Sequence, residues 1–230
     1  MKHIAFLLGL LSLCPPGATA QNKYSIGMSG GMDYAYRLSS GNADSKRGVD
    51  ATDEGSLGYR MGVDLGIRLR PQLTLKTGLR YMRTGFQTQK FDIGELYDPA
   101  TGTFIHFIGG PQFRYRYHYL EVPLGLRYQL GHKRLSFFVE GGFTGNIYLG
   151  GETVVFSENS RSVHAMQDGH YNKLLLGAYL SFGAQYQFRS RLQVFLQPIG
   201  RYSLTAMNSD ALQYYPYSLG GETGIRYFLK

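Results

Sequence analysis

The chain of 230 residues has no tryptophan, one cysteine and few charges. The cysteine, Cys14, falls in a stretch that reads as a cleaved leader, residues 1–20. There Lys2 gives a positive start, and Ile4 to Leu13 is an apolar core too short to span a bilayer as a helix. Ala18-Thr19-Ala20 then supplies small residues before a cut at Gln21. Leu11-Ser12-Leu13-Cys14 departs from a lipoprotein box because Leu13 is large where a small residue is wanted. A mature chain over 21–230 is therefore expected to hold together without a disulfide. Charged residues make up 17% of the chain, against about 25% in soluble domains, which points to a surface not wholly in water. No later apolar run reaches about 18 residues, so a transmembrane helix is excluded.

What the chain does contain favours strands. Its 31 Gly, 19 Tyr and 14 Phe are a β-rich rather than a helical composition. The segment from His118 to Leu130, HYLEVPLGLRYQL, sets the pattern. Leu120, Val122, Leu124, Leu126 and Tyr128 form one apolar face, and Glu121, Pro123, Gly125, Arg127 and Gln129 form the other. A period of two is that of an extended strand. Seven other segments share it: from Tyr24, Leu57, Leu73, Arg134, Leu174, Leu192 and about Leu219. Tight turns fall at 70–72, 131–133 and 189–191, and long polar loops at 38–56, 89–112, 150–172 and 207–216. Long and short connections thus alternate without exception, as in outer-membrane barrels, whose periplasmic turns are short and outer loops long. The expected fold is all-β: an antiparallel, up-and-down transmembrane β-barrel of eight strands, closed so that lipid meets no open sheet edge. Pro123 removes a ladder donor in a wall strand, which predicts a bulge or altered pairing there.

The block YLEVPLGLRYQL resembles the Tyr-Leu-Glu-(Ile/Val)-Pro-Leu segment of Bacteroidetes outer-membrane barrels of the PorT type, and the closing GGETGIRYFLK is similar to their last strand. The resemblance implies an outer-membrane location and a part in surface assembly or secretion; it implies no common activity. Ending in Tyr227-Phe228-Leu229-Lys230, the chain lacks the terminal aromatic of typical barrels.

Parity assigns the lumen. Its acids are Asp33, Asp64, Glu121, Glu140 and Glu222, and its bases Arg60, Arg68, Lys76, Arg80, Arg127, Arg201 and Arg226. Eight strands leave an interior just wide enough for side chains to fill it, and charges there must pair or stay hydrated. The expectation is a packed ion-pair network; the alternative is a narrow, anion-favouring pore. Tyr115, Tyr117 and Tyr119 share the inward face near the outer mouth, where they either plug it or offer a stacking platform to a sugar or aromatic ligand. Tyr24, Tyr128, Tyr186, Tyr227 and Phe188 are placed as one interfacial girdle, and Tyr36, Tyr59 and Tyr81 as the other.

Catalysis would need a nucleophile, base and orienting acid in mutual reach. His106, His118, His164 and His170 with Ser160, Ser162 and Asp168 are the candidates, but Gly-x-Ser-x-Gly, His-Glu-x-x-His and the His-x-Ser-Asn of a lipid A deacylase are all missing. No enzyme, cofactor or metal site is expected. Net charge is +8, with the bases scattered along the sequence, which does not suggest nucleic acid. Arg68, Arg70, Lys133, Arg134, Arg189 and Arg191 gather at the short turns, where solvated turns are the simplest reading and anionic headgroups or a periplasmic partner the alternatives. The expected partners are outer-membrane lipid and a surface or periplasmic protein, with the chain a monomer.

Overall fold

The computed structural model describes residues 23–41, 53–89, 93–98, 103–107, 112–131, 133–157, 160–166, 169, 171–210 and 212–229. The leader expected over 1–20 lies outside them. In chain order the strands are β1 (Tyr24–Ser40), β2 (Asp53–Arg68), β3 (Leu73–Thr88), β4 (Ile93–Asp98), β5 (Thr103–Phe107) and β6 (Gln112–Leu130). They continue as β7 (Leu135–Ser157), β8 (Ser160–Ala165), β9 (Leu174–Arg189), β10 (Leu192–Ser203) and β11 (Gln213–Phe228).

Eight of these close a ring in which each is antiparallel to its neighbours: β1, β2, β3, β6, β7, β9, β10 and β11, with β11 returning to β1. The remaining three stand off the ring. β8 pairs with the far end of β7, and β4 and β5 form a two-stranded sheet of their own. The long connections at 89–112 and 150–172 therefore carry strands of their own: β5 falls on the run from Phe104 to Ile108, where the sequence allows a strand beyond the wall, and β8 lies where a plain polar loop is expected. β7 runs eight residues past the predicted end at Leu149, and β11 starts at Gln213, inside the loop expected over 207–216. Periodicity missed these extensions because above a membrane both faces of a strand meet water and the apolar alternation stops.

The wall is apolar on its outside. Met28, Leu180 and Leu219 are each about two-thirds exposed (71%, 66% and 68%), as are many of their outward neighbours to lesser degrees. A continuous apolar belt of this kind is far larger than a soluble monomer exposes, so its solvent is lipid. The three predicted tight turns are present. Leu73 and Arg70 exchange backbone hydrogen bonds across the first, Gly131 adopts φ +88° in the second, and Arg189 faces Leu192 across the third.

Pro123 does not shift the register. It lies opposite Thr144 of β7; on the β3 side the ladder skips Val122 and Pro123 and resumes unchanged, with Thr77 opposite Leu124 and Arg80 opposite Glu121. The lost donor thus costs local rungs only. The bulge sits elsewhere: His118 faces Gly150 but Tyr119 faces Tyr148, leaving Leu149 extra. Gly150 takes φ +151°, a region open to glycine, and the strand carries its pairing on above this point.

Candidate functional site

The inward face of each wall strand mixes small and very large residues, and the large ones meet at mid-height. Two charge clusters result. In the first, Glu140 accepts from Arg127 Nε at 2.6 Å, from Lys76 Nζ at 3.2 Å and from the Tyr179 hydroxyl at 3.1 Å. The Arg127 guanidinium also lies 3.7 Å from the centre of the Phe138 ring. In the second, Arg80 bridges Asp64 at 2.5 Å, Glu222 at 3.3 Å and Glu121 at 3.4 Å. Arg201 bridges Glu222 at 3.1 Å and Asp33 at 3.3 Å, and Arg60 completes the chain on Asp33. Gln197 joins the clusters, accepting from Arg127 at 3.2 Å and donating to Glu222 at 3.1 Å. All of these side chains are about nine-tenths buried or more, Arg201 being the most exposed at 10%, and Glu121, Glu140 and Glu222 are each 1% exposed.

Two of the residues assigned to the lumen stand apart. Arg226 is buried but donates to Gln193 at 3.0 Å rather than to a carboxylate. Arg68 lies half-buried at the short-turn end, over the ring of Phe228 at 5.2 Å. Sequence reading did not single out Tyr179, Phe138 or Phe195, although inward parity marks all three. Nor does parity show which acid meets which base, since the pairs join strands up to 168 residues apart.

Glycines make the crowding possible. Gly125 and Gly142 face each other across β6 and β7, and a Cβ on Gly125 would stand 2.1 Å from the Tyr179 hydroxyl. The bare backbone there is what lets Tyr179 reach Glu140.

Above the charges, the lumen holds a cavity of about 50 Å³ lined in part by Tyr119, Thr144, Asn146 and Arg201. That is room for roughly three or four waters beside polar groups. Tyr117 and Tyr119 close over it, 2% and 1% exposed. Tyr119 packs edge-on against Tyr148 at 5.7 Å, Tyr117 against Tyr171 at 5.3 Å, and Phe86 stacks on Tyr115 at 4.7 Å. The ring faces that a ligand would stack on are therefore largely taken up by other rings; Tyr115 alone of the three inward tyrosines is only half-buried.

At the mouth, the Arg37 guanidinium sits between Phe86 (3.6 Å) and Tyr214 (3.9 Å) and forms a two-point ion pair with Asp53. Arg37→Ala is expected to cost about 1–2 kcal/mol through loss of both contacts, read as earlier protease cutting of the outer strand ends in detergent. At about the same level, Arg116 donates to Glu152 at 2.8 Å, tying β6 to β7. That hydrogen bond holds the Glu152 carboxyl below its ordinary range. The tie is consequently complete at neutral pH and lost only as pH falls through that lowered value.

Among the described residues, the catalytic candidates form no triad. His118 contacts the Tyr81 hydroxyl at 2.5 Å on the outer wall, and His164 contacts Ser162 at 3.2 Å on exposed β8. Among the described residues no carboxylate hydrogen-bonds to His164. Asp168 and His170 lie outside the described residues, as do the side chains of His106 and Ser160.

A sequence model of the outer membrane protein beta-barrel domain matches residues 19–209. The chain belongs to this family. It is a protein of the bacterial outer membrane. Among solved structures, the outer membrane protease OmpT from Escherichia coli aligns over 93% of this chain and 99% of its own, with a TM-score of 0.51 and 9% identity. The Neisserial surface protein A aligns over 90% and 96%, at TM-score 0.45 and 11% identity. OprG from Pseudomonas aeruginosa aligns over 89% and 97%, at 0.41 and 8%. Identities this low speak to the fold alone. No curated protein matches by sequence. With the family known, the short turns are taken as periplasmic and the long connections as outward-facing.

Proposed function

We propose that this chain is a closed, monomeric barrel with a structural or binding role, whose working surface is its outer end. The observation that carries the reading is the filled lumen: two joined charge clusters at mid-height, capped by Tyr117 and Tyr119. A conducting pore would need a continuous water path, and these side chains lie across it. Outside the membrane the chain invests in ordered structure, through β8, the extended β7 and the β4–β5 hairpin. This supports presentation of a surface to a protein partner, and it fits the part in surface assembly or secretion that the PorT-type block Tyr119-Leu120-Glu121-Val122-Pro123-Leu124 implies for a Bacteroidetes protein. Residues 1–20 serve as the export signal in this reading. The protease named among the structural neighbours lends no activity here: His164 and Ser162 pair without an acid among the described residues. Neither a cofactor nor nucleic acid is involved.

The test is conductance in planar bilayers. Purified protein is expected to give no steady current at moderate voltage. A stable open channel in the wild-type chain would overturn the closed-barrel reading.

A further inference from the structure

The net charge of +8 looks scattered in the sequence, but the topology collects it at one end. The outer segments (37–59, 83–119, 148–175 and 203–216) hold eleven acids against nine bases. The mid-height lumen holds Asp33, Asp64, Glu121, Glu140 and Glu222 against six bases. Those two zones nearly cancel. The periplasmic end has no Asp or Glu at all: 23–27, 66–75, 128–138, 186–195 and 225–229 are free of acids. It carries Lys23, Arg70, Lys133, Arg134, Arg189 and Arg191, with Arg68 just inside.

These cations surround the barrel. Lys23 precedes β1, Arg70 lies between β2 and β3, Lys133 and Arg134 between β6 and β7, and Arg189 and Arg191 at the turn from β9 to β10. Arg191 donates to the hydroxyl of Tyr227 at 3.4 Å, which brings the last strand into the ring, and Lys23 stands 5.9 Å from the ring centre of Tyr24. The outward tyrosines at this end, Tyr24, Tyr128, Tyr186 and Tyr227, are all exposed and mark the lipid interface. Turns only two to four residues long hold the basic heads at that level and do not project them into the periplasm.

We propose that this rim binds the phosphodiester headgroups of anionic phospholipids in the inner leaflet of the outer membrane. A protein partner would engage one sector of the barrel; an annulus of lipid meets its whole circumference, and it matches cations set at all three short turns and beside β1. Long Lys and Arg side chains at an interface keep their stems in apolar contact and their charge among the headgroups. The effect is to seat the barrel at a defined depth, with its uncharged belt in the hydrocarbon.

The full mature chain in phosphatidylcholine nanodiscs is probed with spin-labelled phosphatidylglycerol and spin-labelled phosphatidylcholine. A preference of roughly fivefold for phosphatidylglycerol is expected, the size of one well-formed basic contact with an anionic headgroup. It should shrink in high salt. The combined variant Arg70→Gln, Lys133→Gln, Arg134→Gln and Arg189→Gln should lose it, while Arg161→Gln with Lys173→Gln, at the outer end, should retain it. Equal association of the two lipids, a preference indifferent to salt, or one kept by the rim variant would each overturn the proposal. The wild-type salt series decides the matter even if the rim variant fails to fold. Capture of a periplasmic protein by the rim without lipid preference would likewise count against it. Conductance does not enter this measurement, so a conducting barrel that selects phosphatidylglycerol would sink the closed-lumen reading and leave the rim standing.

Discussion

Replacing Glu140 with glutamine is expected to destabilise the barrel by about 3–5 kcal/mol, the cost of leaving buried charge without its partner. Glu140 is the only carboxylate among the described residues in contact with both Lys76 and Arg127, at 3.2 Å and 2.6 Å. Both cations have less than a twentieth of their side-chain surface exposed, so water cannot replace the lost charge cheaply. The amide still fits the space and still accepts a hydrogen bond, which separates the electrostatic effect from packing. Lys76→Met is expected to cost much less, because Arg127 continues to neutralise Glu140 and an apolar chain of similar length suits the neighbouring Phe195 ring. The double variant should therefore recover part of the loss. Urea unfolding in lipid vesicles, followed by circular dichroism and by the heat-dependent gel shift of folded barrels, reads all three; with no tryptophan in the chain, indole fluorescence is not an option. A Glu140→Gln barrel within about 1 kcal/mol of wild type would mean that the lumen is wet enough to screen its charges.

Gly142→Val should be strongly damaging to the wall. A Cβ at Gly142 would stand 2.3 Å from the Leu124 carbonyl oxygen and 2.4 Å from the Cα of Gly125. These are backbone atoms of the paired strand, which cannot turn aside as a side chain would. Strand separation must then increase where Tyr179 passes to Glu140, so the cost is that of an overpacked core, typically 1–3 kcal/mol, compounded by a weakened hydrogen bond to a buried carboxylate. Gly145, three residues along the same strand, is the control: nothing lies within 4 Å of its Cβ position. Gly145→Val should be neutral or slightly favourable, since β-branched residues suit strands. Equal effects at the two positions would show that strand propensity, not the approach of β6 and β7, sets the outcome.

Much of this architecture is legible in the chain because two rules act on every residue of a wall strand. Side chains alternate between lipid and lumen, and a barrel in lipid cannot leave an edge unpaired. The period of two from Leu57 to Leu69 and from His118 to Leu130 follows from the first rule, and the eight-fold ring and its short turns from the second. Where those rules relax, reading fails. Val154 and Val155 continue β7 in a region where neither face must be apolar, so no alternation announces them. Pro123 pointed to a bulge or altered pairing because its missing donor is visible; the pairing with β3 is interrupted there, but the bulge depends on a glycine, Gly150, among many others.

The sequence by itself determined which residues face inward, that their charges nearly balance, and that the chain crosses the membrane by strands. Only the tertiary structure decided how those charges pair: Glu140 with Lys76 and Arg127, Arg80 with three carboxylates, and Arg226 with the amide of Gln193. It alone closed the basic rim whose turn cations the short-turn pattern already grouped, by bringing Arg191 onto the Tyr227 hydroxyl of the last strand. The physical reason is the same for both. Parity is local, carried by each residue's own backbone, but the height of a side chain in the lumen depends on the register between strands far apart in the chain, and that exists only once the ring has closed.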